Sequence, residues 1–178
     1  MATIRGYMGV SLDHYIAAPD GGLDWLTKYE TADFGAYGYA HFIKAIRTVV
    51  MGRATYDWLV ASGAGWPYGE QRVIVVTSRP IVAAAGPLTA WSHGTDALAA
   101  YLRWLDDGDV WIAGGGKLQQ AMIAAGALDR LELFVMPEIL GDGIPLFPPN
   151  GHRQGVRLAA ATALDAGVVR LDYDFTAG

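Results

Sequence analysis

Short apolar runs alternate along this chain with segments whose apolar positions recur at helical spacing. Ile4–Leu12 reads as a first strand and Asp20–Gly22 as a turn. Across Thr31–Ile46, apolar residues at Phe34, Tyr37, Ala40, Phe42 and Ile46 predict a helix. Thr48–Met51 follows as a short buried strand, Ala54–Ala61 as a short helix, and Arg72–Thr77 as a β-branched buried strand. Thr95–Leu105 reads as a helix capped by Thr95 or Asp96, Val110–Ala113 as a strand, and Lys117–Ala125 as a helix ended by Gly126. Leu131–Met136 is a further strand. Val156–Leu164 and Val168–Phe175, joined by Asp165–Gly167, read as a closing hairpin.

Short buried strands alternating with helices imply an α/β fold with a mainly parallel sheet covered on both faces. The hairpin adds antiparallel strands at one edge. In such sheets a ligand lies beyond the carboxyl ends of the strands. Three motifs fall there. Gly52, Arg53 and Thr55 follow one strand: the glycine permits close approach, the arginine offers a phosphate fork, and Thr55 is placed to cap the next helix. Thr77, Ser78 and Arg79 follow the next strand and supply hydroxyls and a second arginine. Gly114, Gly115, Gly116 and Lys117 follow a third. The glycine run has neither the spacing of a dinucleotide fingerprint nor that of a phosphate loop, and alone it reads equally as a tight turn without a ligand. Three such motifs at successive strand ends, each with a cation, point to a phosphate-bearing cofactor.

The N-terminal third resembles a substrate side. Asp24 and Trp25 precede Glu30 and Phe34, and on a helix Glu30 and Phe34 share a face at i and i+4. Such a pair presents a carboxylate and an aromatic wall to a planar heterocycle. Asp24 and Asp33 are competing carboxylates, and Trp25 and Phe34 read equally as core residues.

Bulk properties narrow the classes. The 178 residues are 52% apolar and 17% charged, which predicts one globular domain spanning 1–178. A net charge of −5 argues against a nucleic-acid surface. There is no cysteine, so disulfides are excluded, and a reducing, cytoplasmic setting is the expectation. No apolar run approaches the roughly 20 residues a bilayer-crossing helix needs. The four histidines stand at no metal-ligand spacing from one another, so no metal is expected. The β-rich tail leaves a sheet edge that must be paired or covered.

Six segments together resemble the dihydrofolate reductase superfamily, and within it the small stand-alone bacterial proteins similar to the C-terminal reductase domain of the riboflavin biosynthesis deaminase-reductase. They are Ser11–Asp13 with Ile16, Asp20–Gly21 with Asp24–Leu26, Val50–Tyr56, Val75–Arg79, Gly114–Leu118 and Leu140–Phe147. The resemblance implies a dihydrofolate-reductase-like three-layer fold and NADPH as cofactor. By it, Gly52, Arg53 and Thr55 bind the adenosine side, with Arg53 reaching the 2′-phosphate, which Thr77, Ser78 and Arg79 also flank. Gly114, Gly115, Gly116, Lys117 and Leu118 cradle the pyrophosphate, with a cis bond between the first two glycines. Ile16 lies near the nicotinamide. Two arginines suit NADPH over NADH, because an added phosphate calls for added positive charge.

On the substrate side, the resemblance makes Glu30 the proton handler and Asp24, Trp25, Phe34 and Gln119 the substrate contacts. Gln119 stands where dihydrofolate reductases carry a tyrosine, and Phe134 where they carry a threonine. These departures favour a riboflavin-pathway reductase of the 5-amino-6-(5-phosphoribosylamino)uracil type over authentic dihydrofolate reduction, with a non-catalytic NADPH-binding protein as the alternative from another class. By the resemblance, relatives of this kind often form dimers, so a homodimer acting on a small molecule is an expectation.

Overall fold

Ile4, Met8 and Val10 alternate in β1 (Ile4–Val10) with Arg5, Tyr7 and Gly9, and this period of two divides the molecule into layers. The computed structural model describes residues 1–63, 65–81 and 86–175. β1 lies within an eight-stranded sheet. After β1 come β2 (Tyr15–Ala17), α1 (Asp24–Thr27), α2 (Tyr39–Phe42), β3 (Ile46–Gly52), α3 (Arg53–Ser62), β4 (Arg72–Val76), β5 (Leu88–Trp91), α4 (Thr95–Trp104) and β6 (Asp109–Gly114). Then come α5 (Gly116–Ala124), β7 (Arg130–Val135), β8 (Ile144–Pro145), β9 (Arg157–Ala163) and β10 (Val169–Asp174). The sheet order is β5-β4-β3-β6-β1-β7-β10-β9, and β2 pairs with β8 separately. The first six strands run parallel, while β10 is antiparallel to β7 and β9 to β10. The mainly parallel sheet with an antiparallel closing hairpin is the architecture that the pattern implied.

On one face, Ile4, Met8, Val110, Ile112 and Leu131 pack against Leu98 and Leu102 of α4 and Leu118 and Met122 of α5. On the other, Val49, Met51, Val73, Val75 and Trp111 meet Phe42, Tyr56 and Tyr68. Trp25, Phe134, Met136 and Val168 form a third cluster. Each stripe is buried on its own face of the sheet, so hydrophobic burial selects both register and layer.

The continuous helix expected over Thr31–Ile46 is not formed. Its place is taken by a 3₁₀ turn at Gly35–Tyr37, the one-turn α2, and a second 3₁₀ turn at Ile43–Ala45. Gly35 has φ +53° and Gly38 is extended, and either interrupts a helical hydrogen-bond ladder. Ile46 belongs to β3. The first strand stops at Val10, because Ser11 turns the chain. Neither Thr95 nor Asp96 caps α4: the cap position is Gly94, without a side-chain bond. The strand β5 escaped the sequence pattern; Pro87 and Gly86 stand before a run of only four residues.

The floor of the sheet carries charge. Glu132, 2% exposed, accepts from Arg5 Nη2 at 2.8 Å and from Arg170 Nη2 at 2.7 Å, and Arg170 also meets Asp172 at 2.6 Å. Among the described residues no helix is long and apolar enough to cross a membrane.

Candidate functional site

Two helices begin side by side at the carboxyl ends of β3 and β6. Gly52 precedes α3 and Gly115 precedes α5, and neither helix has a side-chain cap. A Cβ on Gly52 would stand 3.8 Å from the Gly115 nitrogen. The Gly114–Gly115 peptide is cis, and Gly114 has φ +133°. Cβ atoms built on Gly114 and Gly115 would each lie 3.7 Å from Thr55 Oγ1. The absent side chains therefore leave an open cradle, walled by two peptide backbones and the Thr55 hydroxyl. Thr55 does not cap α3, contrary to expectation; it sits inside the first turn and turns its hydroxyl to this cradle.

Each helix start leaves backbone N–H groups without intrahelical acceptors and carries the positive end of its dipole. Two such ends at one point concentrate positive partial charge, an arrangement suited to an anion. Gly116 closes the turn from behind, because a Cβ there would lie 2.5 Å from the Leu146 carbonyl oxygen. Leu118 is buried in the core under α5, so its main chain rather than its side chain belongs to the cradle. Lys117 is exposed at the rim.

The cations flank this point. Arg53 Nε donates to Asp57 Oδ1 at 2.6 Å, and Arg53 Nη1 donates to the Pro80 carbonyl at 3.0 Å. Arg79 Nη2 lies 4.0 Å from Asp57 Oδ2 and is largely exposed. Thr77 Oγ1 accepts from the Arg79 N–H at 3.1 Å, which shapes the turn holding the exposed Ser78. Sequence reasoning passed over Asp57, although its i, i+4 spacing from Arg53 was a readable signal.

Ile16 stands in β2, partly buried against the core on the α5 side. Trp25 is 7% exposed beside Phe134 and Met136, and the Phe34 ring lies 5.7 Å from that of Phe134. Those rings continue an aromatic row. Tyr7 stacks on Phe42 at 4.1 Å and meets Phe134 at 4.7 Å, and Phe42 meets Trp111 edge-on at 5.4 Å. Tyr7 Oη donates to the Tyr37 carbonyl at 3.0 Å; burial, with the nearby Glu132 charge, pushes its phenol far above the usual range. Tyr7, Phe42 and Trp111 had no motif to announce them.

Three expectations on the substrate side meet a different geometry. Glu30 is exposed in the turn after α1, so it shares no helical face with Phe34 and is not buried beside the rings. Asp24 is exposed at the start of α1, and Asp33 Oδ1 accepts from the Gly35 N–H, closing its own turn. Gln119 is wholly buried on the opposite face of the sheet from Trp25 and Phe34. Its amide lies over Gly6, where a Cβ would come 2.2 Å from Nε2. The helical phase of α5 turns residues 118, 119 and 122 into the core.

A cleft of about 670 Å³ opens elsewhere, over the starts of β1 and β7, with Arg5, Tyr7, Tyr37, Glu132 and Arg170 among its walls. It is on the sheet face rather than at the carboxyl ends of β3 and β6. Among the described residues no cluster of three or more potential metal ligands occurs.

Comparison with known proteins agrees with this architecture. The chain is 36% identical over 152 residues to YwjB, an uncharacterized protein of Bacillus subtilis (strain 168), covering 85% of this chain and 86% of YwjB. It superposes with TM-score 0.81 and 24% identity on a Shewanella sp. PV-4 protein named for riboflavin biosynthesis, over 99% of this chain and all of that one. The dihydrofolate reductase of Enterococcus faecalis, solved with NADP(H), shares the fold at TM-score 0.59 and 18% identity, over 97% and 95% of the two chains. With residues 2–170 matched, the chain belongs to the RibD C-terminal domain family and has a dihydrofolate-reductase-like fold.

Proposed function

We propose that the protein is an NADPH-dependent reductase, which passes hydride to a small pyrimidine- or pteridine-type heterocycle in the manner of a 5-amino-6-(5-phosphoribosylamino)uracil reductase. The observation that carries this reading is the cradle in which two uncapped helix starts meet at Gly52 and Gly115, with the Thr55 hydroxyl between them. Main-chain N–H groups of Gly115, Gly116, Lys117 and Leu118 hold the pyrophosphate there. Arg53, Thr77, Ser78 and Arg79 take the adenosine end and its 2′-phosphate. Ile16 lies along the nicotinamide, which supplies the hydride when bound. Trp25 and Phe34, with Phe134 behind them, offer the aromatic wall for a planar substrate.

The protein's part in the chemistry is placement in a site with little water. An exposed Glu30, with Phe134 in place of a polar partner, supports the pyrimidine reading over dihydrofolate reduction, which calls for a buried carboxylate beside the ring.

The test is a titration of the purified protein with NADPH and with NADH, followed by quenching of tryptophan emission. Micromolar binding of NADPH supports the reading. Absence of binding to both leaves the glycine turns structural and overturns it.

A further inference from the structure

Two segments that carry the family resemblance have no role in the site so far, Ser11–Asp13 and Leu140–Phe147, and the fold joins them to each other. Asp13 reaches across 127 positions: its Oδ1 accepts from the Leu140 N–H at 3.1 Å and its Oδ2 from the Gly141 N–H at 2.8 Å. The fully buried Ser11 donates its hydroxyl to Asp13 Oδ1 at 2.6 Å and accepts from the Tyr15 N–H at 2.9 Å. Main-chain bonds extend the seam on both sides, from Leu12 N–H to the Glu138 carbonyl at 2.7 Å and from Leu146 N–H to the His14 carbonyl at 2.9 Å.

The seam touches both ends of the cofactor cleft. The turn from Ser11 to Tyr15 leads directly into β2, which carries Ile16. The strap from Glu138 to Leu146 pairs with β2 through β8, and its Gly143 approaches so closely that a Cβ would lie 2.3 Å from the Ala17 carbonyl oxygen. The same strap ends against the glycine turn, where Gly116 has no room for a Cβ beside the Pro145 and Leu146 carbonyls. A continuous path of short contacts thus runs from Asp13 through the strap to the start of α5. His14, with φ +65°, is held in a left-handed conformation within that turn.

We propose that Asp13 is a positioning residue: by tying the Ile16 turn to the strap that backs Gly116, it sets the nicotinamide end of the cleft relative to the pyrophosphate cradle. The inference rests on the proposed dinucleotide site. It concerns only the geometry between the nicotinamide end and the cradle, since the hydrogen bonds of Asp13 go to Ser11, Leu140 and Gly141 rather than to the arginine turns of the adenosine end. The Ser11 hydroxyl and the Gly141 and Leu140 N–H groups also hold the Asp13 carboxyl down at about 2, so the tie stays ionised across the neutral range.

A fragment comparison tests this. Asp13→Asn and Ser11→Ala proteins are titrated with NADPH and with 2′,5′-ADP, which fills the adenosine end alone, at a temperature where near-ultraviolet circular dichroism shows each to be folded. Ser11→Ala removes the hydroxyl that fixes the Asp13 carboxyl to the turn before Ile16, and serves if Asp13→Asn does not fold. The expected result is NADPH affinity lower by about tenfold while 2′,5′-ADP affinity stays within about twofold of the wild type. A purely structural role would lower both affinities together, and that result, or no change in either, overturns the inference alone. A wild-type protein that binds neither nucleotide overturns the functional reading and the inference with it.

Discussion

Arg53 and Asp57 form an ion pair at 2.6 Å across one turn of α3, and the Asp57 carboxylate also stands 4.0 Å from Arg79. One acid therefore lies between the two cations proposed to meet the 2′-phosphate. A carboxylate suits a ribose hydroxyl, whereas an arginine suits a phosphate at the same place. Asp57→Asn is expected to raise affinity for NADPH about fivefold and leave NADH nearly unchanged, with the gain shrinking at high salt. Arg53→Ala is expected to do the reverse. Fluorescence titrations at two ionic strengths measure both, and an unaltered NADPH-to-NADH ratio would remove these side chains from the 2′-phosphate subsite.

Glu30 offers a second test, because it is exposed in the turn after α1 rather than held beside the aromatic row. Removing a true general acid costs ~10²–10⁴ in rate. Glu30→Gln is expected to lower turnover less than about threefold. The measurement is NADPH oxidation over a panel of pyrimidines and pteridines, and a loss of two orders of magnitude would return the proton-handling role to Glu30.

Glu132 neutralises two arginines from neighbouring strands while itself almost wholly buried. Cutting one member from a buried ionic group leaves the others uncompensated, at ~3–5 kcal/mol. Glu132→Ala should therefore lower the unfolding free energy by about 3 kcal/mol, read from urea unfolding. A midpoint equal to that of the wild type would show that water already satisfies the arginines.

Asp13 predicts a pH dependence of stability. Its folded pKa lies below the ordinary 3.8, at about 2, owing first to the Ser11 hydroxyl and then to the Gly141 and Leu140 N–H groups. The folded state thus binds this proton less readily than the unfolded chain. The stabilisation is complete above the unfolded pKa and drains away as pH falls from 3.8 toward about 2. Urea midpoints measured from pH ~5 down to pH ~2 should fall more steeply for the wild type than for Asp13→Asn. Parallel curves would contradict the assignment.

β9 is exposed at six of its seven positions and forms one edge of the sheet. Its run of alanines and leucine lacks the lysines or prolines that blunt a free edge. Pairing with a second copy is the expected cover, so light scattering should return about twice the chain mass of 19.0 kDa. A monomer mass at micromolar protein would rule it out.

Much of the fold was legible in the amino-acid order because hydrophobic period and strand-end chemistry are local. The apolar alternation in Ile4–Val10, the buried runs Thr48–Met51 and Arg72–Val76, and the glycines at 52 and 114–116 each follow from neighbours within one or two turns of chain. That local code marked the strand-to-helix turns and the hairpin, and hence the layered sheet. It misread Thr31–Ile46 because apolar spacing there satisfies a helix while Gly35 and Gly38 break one. Other features depend on residues that stand far apart in the chain, and only the tertiary structure decided them. The bond from Asp13 to Gly141, the burial of Glu132 between Arg5 and Arg170, and the turning of Gln119 away from Trp25 all come from which face of the sheet each element covers. No local pattern encodes that choice, because it is set by the packing of whole layers to exclude water, and the side chains take their partners afterwards.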